Sequence, residues 1–382
     1  MYKNFHCMHG LSRELMFRKM LWMLVIFMMI TGTSCNRMIS NKTTEADYCR
    51  LIESGYGPQG EVEIQAEIIV SRLEVPWAIA FLPNGDALVT ERPGRLRLIK
   101  DIYDSPQLMN QPVASVQVAS TSEGGLLGIA LHPDFQNNRL FYMYVTVSSE
   151  GEDINQVEQW QLSDDGRSAQ KQRTIFAAIQ AAGVHNGGRL QFGPDGMLYV
   201  GTGDAREPDL SQDPYSPNGK LLRLTPDGQV PDDNPIQGSP AFITGIRNTQ
   251  GWVWPDENDA NTVWLLDHGP SGEMLRFGHD ELHVAKAGDN LGWPAVYGCQ
   301  QQDSLMAPVI SWQQAVPPAG ADIYTGEAIP QWKGSMIIGT LGSRHLHRVQ
   351  FENARVEHHE VYLQDEYGRL REVIMGADGN LY

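Results

Sequence analysis

Short hydrophobic runs joined by turns of the Pro-Asx-Gly type recur along most of the chain. The clearest copies read FLPNGDALV at 81–89, FGPDGMLYV at 192–200 and MGADGNLY at 375–382. Weaker copies stand at 132–134 and 254–256. Because an Asx-Gly pair between two apolar runs favours a tight hairpin, each copy predicts a pair of antiparallel strands.

The spacing of these turns indicates a repeat. They lie near residues 83, 133, 194, 255 and 377, and a Pro-Pro-Ala-Gly segment at 317–320 stands near the middle of the last, double interval. Six units of roughly 50 to 60 residues, each with several short strands, are typical of a β-propeller. No segment has a long 3.6-residue apolar period, so we expect few helices.

We therefore predict an all-β fold, a six-bladed β-propeller over residues 62–382. The chain reaches Tyr382 within what reads as an inner strand, so the last blade is expected to be incomplete at the C-terminus. A pair of β-sandwiches with coincidental turns is the alternative fold. In a propeller the loops of all blades converge at one mouth of the central channel, so site residues should lie in loops, about one cluster per repeat.

The N-terminus predicts an export signal. Arg13, Arg18 and Lys19 precede an apolar run at 20–30, which is too short to span a bilayer with normal flanks and matches the core of a signal peptide. The run ends in TGTSC, and small residues before a cysteine resemble a bacterial lipoprotein cleavage site with Cys35 as the lipid-bearing residue. Plain cleavage near Ser34 is the alternative.

The predicted organisation follows from this signal. Residues 1–35 form the signal peptide, the polar stretch 36–61 a tether, and 62–382 the propeller. The mature chain is expected in the periplasm or lipid-anchored to the bacterial outer membrane, with membrane contact only through that lipid. In an oxidising compartment Cys49 and Cys299 either form a disulfide, which would tie the tether to a loop, or remain unpaired.

Charge narrows the range of partners. The chain has 29 basic residues against 46 acidic ones, a net charge of −17. A surface this acidic repels phosphate backbones, so we expect no nucleic-acid partner.

Two residues suggest acid–base chemistry. His185 stands in a Gly-rich loop, VHNGGR at 184–189, where an imidazole is a candidate general base. Asp204 ends the segment VGTGD, where its carboxylate could orient that imidazole through the second ring nitrogen. A surface histidine and a turn-forming aspartate are the alternative interpretations.

Arginines suggest an anionic ligand. Arg247 and Asn248 lie in GIRN, and a guanidinium offers a planar fork for a carboxylate or an oxyanion. An Arg–Asp pair between blades is the alternative. Arg369 and Arg371 alternate with Leu370, so in a strand both would point to one face, where two cations favour a polyanion.

The segment DHGPSGE at 267–273 predicts a cation site. A Gly-Pro pair can turn successive carbonyl oxygens toward one point, and such oxygens suit calcium, so Gly269 and Pro270 are candidate ligands. His268 and Glu273 are further candidates, and EGGLLG at 123–128 adds Glu123 to the set. Neither zinc-ligand spacing, nor a phosphate-binding Gly loop, nor a Gly-x-Ser-x-Gly elbow stands at a convincing place.

Taken together and in this order, these segments resemble the glucose/sorbosone dehydrogenase family, the soluble quinoprotein sugar dehydrogenases. The resemblance spans about residues 62–382. The segments that carry it are VPWAIAF at 75–81, EGGLLGIALHPDF at 123–135, HNGGRL at 185–190, GIRNTQG at 245–251, HGP at 268–270, NLGWP at 290–294 and GRLREV at 368–373.

The resemblance implies a six-bladed propeller that binds pyrroloquinoline quinone and calcium and oxidises an aldose at C1 to the lactone. His185 would be the general base for the C1 hydroxyl proton, with Asp204 orienting it, while hydride passes from C1 to the quinone C5. Calcium, held by the carbonyl oxygens of Gly269 and Pro270, would polarise the C5 carbonyl as a Lewis acid.

The resemblance also assigns the remaining candidates. Arg247 and Asn248 would lie beside the quinone oxygens, and Arg369 and Arg371 would meet the cofactor's carboxylates. Glu123 falls where family members often carry Gln, near the cofactor or the substrate. An external electron acceptor would complete the reaction.

Two positions depart from the family pattern. Many members have a Lys near the cofactor where this chain reads GTLG at 339–342, and Arg344 or His345 is the candidate replacement. The residue before the candidate base is Val184, where some glucose-oxidising members have an Asp.

Two functions of other classes stay open at this point. A calcium-dependent propeller lactonase would need no quinone, and Asp204 and Asn248 would be its candidate metal ligands. A propeller that binds a glycan or a protein without catalysis is the other alternative.

Overall fold

Five sheets of four or five strands follow one another along the chain, and within each sheet the strands that follow one another in sequence mostly pair antiparallel. The computed structural model describes residues 43–119 and 122–382. The first strands of neighbouring sheets contact each other, which places them at the centre of a propeller. The predicted all-β propeller is therefore confirmed.

Two short strands, β1 (Thr44–Glu45) and β2 (Arg50–Ile52), precede the blades. Blade 1 contains β3 (Pro76–Phe81), β4 (Ala87–Glu91), β5 (Arg95–Lys100), β6 (Gln107–Leu108) and β7 (Ala114–Ser115). Blade 2 contains β8 (Leu126–Leu131), β9 (Leu140–Ser149), β10 (Glu152–Leu162) and β11 (Ala169–Gln180). Blade 3 contains β12 (Leu190–Phe192), β13 (Leu198–Gly201), β14 (Leu221–Leu224) and β15 (Ala241–Ile243).

Blade 4 contains β16 (Gly251–Val253), β17 (Thr262–Asp267), β18 (Asp280–Lys286) and β20 (Ile310–Trp312), with β19 (Gln300–Gln301) outside the blade. Blade 5 contains β21 (Pro318–Ile323), β22 (Met336–Thr340), β23 (Leu346–Glu352) and β24 (Arg355–Tyr362). The helices of the described residues are short, as expected: one α-helical turn, Phe135–Asn138, and three 3-10 turns, Pro208–Ser211, Glu273–Leu275 and Pro330–Trp332. None of them is long and apolar enough to cross a membrane.

The central strands of the blades are buried on both faces, because each blade packs against two neighbours. All five residues of β4 are buried, and six consecutive residues of β9 are buried. The apolar side chains form layers between adjacent blades; the largest layer joins blades 1, 2 and 3. This explains why the sequence shows continuous apolar runs in these strands and little alternation.

The turn repeat marks the first hairpin of each blade. The turn at 83–85 joins β3 to β4, and the turn at 194–196 joins β12 to β13. The Pro-Pro-Ala-Gly segment at 317–320 was wrongly expected to be such a turn: it enters β21, which pairs with β22 beyond a longer connection. Proline has no N–H to donate to a sheet and is therefore accepted at the first residue of a strand as well as in a turn. For this reason the Pro-Pro-Ala-Gly composition did not distinguish a turn from the start of β21.

The described residues form five blades, so the predicted count of six is wrong for them. After blade 5 the chain makes a single antiparallel bridge, Met375 to Leu381, around the last Asp-Gly turn. This is one hairpin and not a sheet. Its terminal Tyr382 packs edge-on against Phe81 and near Tyr103 of blade 1.

Part of the predicted tether belongs to the fold. Strand β1 pairs with β19, and β2 adds a parallel strand to the outer edge of blade 4 beside β20. Cys49 and Cys299 form a disulfide, which confirms the pairing that the sequence left open. Residues 43–61 are therefore held against the blades by sheet pairing and a covalent bond. The predicted signal peptide at 1–35, with Cys35, lies outside the described residues.

Candidate active site

The segments that lead into the first strands of the blades line part of a cavity of about 1860 Å³, whose wall also includes residues 63–70, 102–104 and 380–382. Because these strands meet at the centre of the propeller, the loops before them converge. Candidate residues from several repeats accordingly lie at one cavity, mostly in loops, as expected for a propeller. The lining includes Trp77, Glu123, His185, Arg247, Asn248, Gln250, His268, Glu273, Arg369 and Arg371.

His185 and Asp204 form a buried pair at this cavity. Nδ1 of His185 lies 2.7 Å from Oδ1 of Asp204. An ionised carboxylate can only accept, so Nδ1 carries the proton and Nε2 keeps its lone pair. Asp204 is fully buried and also accepts hydrogen bonds from the backbone N–H of Arg206 (2.8 Å) and the indole N–H of Trp293 (2.9 Å). The predicted orienting contact is therefore present.

Local backbone geometry brings this pair together. His185 adopts a left-handed φ of 62°, an uncommon conformation for a non-glycine residue. Its backbone N–H donates to the Glu123 carboxylate at 3.0 Å. At Gly203 a Cβ atom would lie 2.1 Å from the carbonyl oxygen of His185, so only glycine permits this approach of the two loops.

Arg247 faces the other nitrogen of the imidazole. Its Nη2 lies 2.8 Å from Nε2 of His185 and 2.8 Å from Oε1 of Glu273. Because a guanidinium only donates, Nε2 must be the acceptor, which agrees with the tautomer set by Asp204. Burial opposes ionisation of Glu273, but the Arg247 charge and the Ser271 N–H outweigh it, so the pKa of Glu273 is lowered.

A buried carboxylate fixes the backbone of the arginine segment. The backbone N–H groups of Arg247 and Asn248 donate to the two oxygens of Asp267, at 2.9 and 2.8 Å. Burial, together with the nearby charge of Glu281, raises the pKa of Asp267 to about 7.

The side chain of Asn248 connects three loops. Its Oδ1 accepts from the N–H of Gly187 at 2.9 Å, and its amide lies 3.1 Å from Nδ1 of His268. Nε2 of His268 donates to the carbonyl oxygen of Pro318 at 2.6 Å, and burial lowers the pKa of His268 to about 3. His268 is therefore a neutral structural link in this arrangement.

Two further arginines of the cavity lining, Arg369 and Arg371, have no ion-pair partner among the described residues. Arg371 donates to Gln250 at 3.0 Å and lies over the ring of Trp77 at 5.5 Å. Burial, and then the neighbouring charges of Arg369 and Arg189, lower the pKa of Arg371 to about 10. Arg189 is paired with Glu372, whereas no carboxylate of the described residues makes an ion pair with Arg369 or Arg371.

The segment around Arg371 belongs to none of the strands. Arg369, Leu370 and Arg371 all line the cavity, so the predicted separation of the two arginines from Leu370 onto opposite faces is not observed. Leu370 also packs against the apolar cluster of blade 5.

Gly269 and Pro270 lie buried behind the cavity wall, between His268 and Ser271, which line it. The N–H of Gly269 donates to Asp280 at 2.9 Å, and burial raises the pKa of Asp280 to about 6. A Cβ atom on Gly269 would lie 2.0 Å from the carbonyl oxygen of Gly278, so this tight passage requires glycine. The described residues contain no cluster of three acidic, histidine or cysteine side chains placed to bind a metal.

Comparison with known proteins identifies the family. Residues 73–382 match the family described as Glucose / Sorbosone dehydrogenase. The chain belongs to this family. As a glucose/sorbosone dehydrogenase family member it is an oxidoreductase of the type that acts on sugar CH–OH groups.

Relatives agree in sequence and in fold. The aldose sugar dehydrogenase YliI of Escherichia coli (strain K12) is 33% identical over 345 residues, which cover 84% of this chain and 89% of that protein. The aldose sugar dehydrogenase of Streptomyces coelicolor in its PQQ-bound form is 33% identical with a TM-score of 0.71, covering 80% of this chain and 86% of that one. The apo form of the soluble Escherichia coli enzyme is 31% identical with a TM-score of 0.73, covering 83% and 94%.

Two contacts of the site escaped the sequence reasoning. Trp293, in the NLGWP segment, donates to Asp204. The sequence links that segment to the family pattern but predicts no role for the tryptophan. Glu273 was considered as a cation ligand, but its carboxylate binds Arg247 and lies 3.6 Å from Nε2 of His185. Only the NLGWP motif itself could have drawn attention to Trp293.

The two candidate replacements for the missing lysine do not line the cavity. Arg344 pairs with Asp365 at 2.7 Å on the surface. His345 is buried against Tyr56 and His347. Gly342 and Val184 do line it, so the cavity wall is uncharged at both of these positions.

Proposed function

We propose that this protein oxidises an aldose sugar at C1 to the lactone, with pyrroloquinoline quinone as hydride acceptor and calcium as Lewis acid. One observation carries the proposal: an imidazole of fixed tautomer, with the lone pair of its Nε2 directed away from Asp204, shares one cavity with two unpaired arginines. A base and an anion-binding wall are the protein groups that such a reaction requires.

The arginine wall fits a planar polyanion. Arg371 is half-buried and makes no ion pair with a carboxylate of the described residues, and the flat ring of Trp77 lies beneath both Arg371 and Arg189. A partly desolvated cation without a counter-charge is unfavourable, so an anionic group placed here would stabilise the arginines. The cofactor carboxylates supply that charge. Relatives support the assignment, since one of them was solved with this quinone bound.

The calcium proposal rests on backbone oxygens. Neither the carbonyl oxygen of Gly269 nor that of Pro270 accepts a hydrogen bond from the described residues. Backbone carbonyl oxygens are among the oxygen ligands of calcium, so these two would hold the ion and it would supply Lewis acidity. An absence of clustered carboxylates is compatible with such a donor set.

The protein's own residues provide the acid–base step. Pyrroloquinoline quinone would supply the hydride acceptor when bound, and calcium would supply a Lewis acid. Nε2 of His185 takes the proton of the C1 hydroxyl, and Asp204 stabilises the imidazolium that results. In the structure Arg247 donates to Nε2, so the sugar hydroxyl must replace that hydrogen bond before the proton can move.

The lactonase alternative receives no support from the geometry. Its candidate ligands are already used within the protein: Asp204 by His185 and Trp293, and Asn248 by Gly187 and His268.

Reconstitution tests the proposal directly. The purified chain is titrated with pyrroloquinoline quinone in the presence of calcium or a chelator, and aldoses are then added with a redox dye. We expect calcium-dependent binding seen by absorbance and sugar-dependent bleaching of the dye. A folded chain that binds no quinone would overturn the proposal.

We also propose that the chain is exported to the periplasm, with Cys35 as a lipid-bearing residue. The N-terminal sequence supports this, as does the Cys49–Cys299 disulfide, because such bonds persist in oxidising compartments. Metabolic labelling with a radioactive fatty acid, compared between the natural chain and Cys35→Ser, tests the anchor. Equal labelling of the two would contradict it.

A further inference from the structure

Four side chains form a closed ring of contacts around the base. Nδ1 of His185 binds Asp204, the other oxygen of Asp204 binds the indole N–H of Trp293, and the Trp293 ring lies 5.6 Å from the guanidinium carbon of Arg247. Arg247 closes the ring at Nε2 of His185. Trp293 therefore contacts both groups that bind the imidazole.

Trp293 itself does not reach the reacting space. It is 3% exposed and is not part of the cavity lining, so neither a sugar nor a cofactor in the cavity would contact it. Its effect on the reaction must pass through Asp204 and Arg247.

The backbone of Trp293 is fixed by an adjacent blade. Its N–H donates to the carbonyl oxygen of Gly245 at 3.0 Å, and its carbonyl oxygen accepts from the side chain of Gln212 at 2.6 Å. Gly245 begins the GIRN segment that carries Arg247. The loop that presents the indole and the loop that presents the guanidinium are thus joined directly.

We propose that Trp293 is a positioning residue for His185. Its N–H holds one oxygen of Asp204, which leaves the second oxygen directed at Nδ1, and its ring supports Arg247 on the opposite side of the imidazole. The expected effect of Trp293 on turnover rests on the proposed function. The positioning of His185 does not, because its contacts are present in the chain without cofactor. Side chains that fix the orientation of a base in this way preserve catalytic geometry.

Trp293→Phe tests the proposal, because it removes the N–H donor and retains an aromatic ring below Arg247. Trp252→Phe is the matched control: Trp252 is 1% exposed, and its indole N–H has no partner among the described residues. Both variants lose the same side-chain volume from a buried position. Only the first loses a hydrogen bond to the site.

The first measurement uses the chain without cofactor. With ¹⁵N-labelled histidine, we expect the Nδ1-bound proton of His185 to give a hydrogen-bonded signal in the natural chain and in Trp252→Phe. In Trp293→Phe this signal should shift or broaden by exchange. The second measurement is dye-linked sugar oxidation, where Trp293→Phe should lower kcat by roughly 10- to 100-fold, the range seen when outer partners of site residues are lost. KM should change by less than about threefold, since Trp293 does not contact the substrate and its loss removes no substrate-binding interaction.

A folded Trp293→Phe chain with the His185 signal of the natural chain and with kcat within about threefold of the Trp252→Phe value would overturn the proposal. Should Trp293→Phe fail to fold, Asp204→Asn in a chain with ¹⁵N-labelled tryptophan replaces it. That change should shift one indole N–H signal and leave the others in place. If no indole signal responds, the proposal is wrong. A natural chain that fails to oxidise sugars would count against the proposed function alone, because the spectra are recorded without cofactor.

Discussion

Asp204 binds Nδ1 of His185 at 2.7 Å, and this single contact determines which imidazole nitrogen can act as a base. The carboxylate has no proton to donate, so the lone pair must lie on Nε2, where Arg247 now donates. The proposed base therefore has the tautomer that its role requires before any ligand enters.

Replacement of the base follows from this geometry. In His185→Ala we expect sugar oxidation to fall by roughly 10² to 10⁴-fold, the usual contribution of a positioned general base. Binding of pyrroloquinoline quinone should stay within about threefold, because the cofactor contacts proposed above lie on the arginines. Absorbance titration and dye-linked turnover measure the two effects. Undiminished turnover would show that another group takes the proton.

The arginine wall predicts a loss of cofactor affinity. Arg371→Met removes a half-buried cation that has no ion-pair partner among the described residues, so the dissociation constant for the quinone should rise at least about tenfold, or about 1.4 kcal/mol. Isothermal titration in the presence of calcium measures it.

Arg344→Met is the matched control for that experiment. Arg344 forms a surface ion pair with Asp365, and the side chains of both are about half exposed at 53%. Its replacement should leave quinone affinity unchanged. Equal affinities for the Arg371 and Arg344 variants would remove Arg371 from the cofactor site.

The disulfide should stabilise the folded chain. Cys49 and Cys299 are separated by 250 residues, so the bond constrains a long loop of the unfolded chain. We expect the double variant Cys49→Ser/Cys299→Ser to lose about 2–5 kcal/mol in the free energy of unfolding. Urea denaturation with and without dithiothreitol measures this. Dithiothreitol should lower the free energy of unfolding of the natural chain and leave that of the double variant unchanged. An unchanged free energy of unfolding for a natural chain whose disulfide is fully reduced would contradict the prediction.

A buried histidine cluster predicts acid sensitivity. His345 lies 3.2 Å from His347, and the rings of His347 and His359 are stacked. Burial lowers the pKa of His345 and of His359 to about 4, and lowers that of His347 well below its usual value. Between about pH 6.5 and 4 the unfolded chain therefore binds protons that the folded chain does not.

The sign of the effect follows from this difference. Stability contributed by the neutral cluster is present above pH 6.5 and is lost as the pH falls, by about 1.4 kcal/mol per pH unit for each histidine. In His347→Phe the slope of unfolding free energy against pH should fall by about that amount. His358→Gln, at a half-exposed position beside Glu360, is the control and should keep the natural slope. Identical slopes for all three chains would refute the assignment.

Most of the local hairpins of this protein could be predicted from its sequence. The Asx-Gly turns at 83–85 and 194–196 predicted two hairpins, and both are present. A tight turn depends on the residues within and beside it, so it can be predicted from a short stretch of sequence. The pairing of His185 with Asp204 was also predicted, because each residue stood at the border of a Gly-rich loop. The proline and glycine content of residues 317–320 also predicted a turn, but there the prolines enter β21.

Tertiary structure decided what depends on contacts between distant segments. The blade count could not be read from the turns, because the last turn forms a single hairpin while a full blade needs further strands. The polar stretch at 43–61 reads as a tether, yet pairing with β19 and β20 makes it part of the sheet system.

The orientation of the base belongs to this second class. Trp293 and Asp204 are 89 positions apart in the chain, and their hydrogen bond exists only because two loops from neighbouring blades meet. The tendency to form a hairpin depends on a few neighbouring residues and can therefore be predicted from a short stretch of sequence. The direction of a buried side chain depends on every element packed around it, so only the assembled propeller determined which atoms face the cavity.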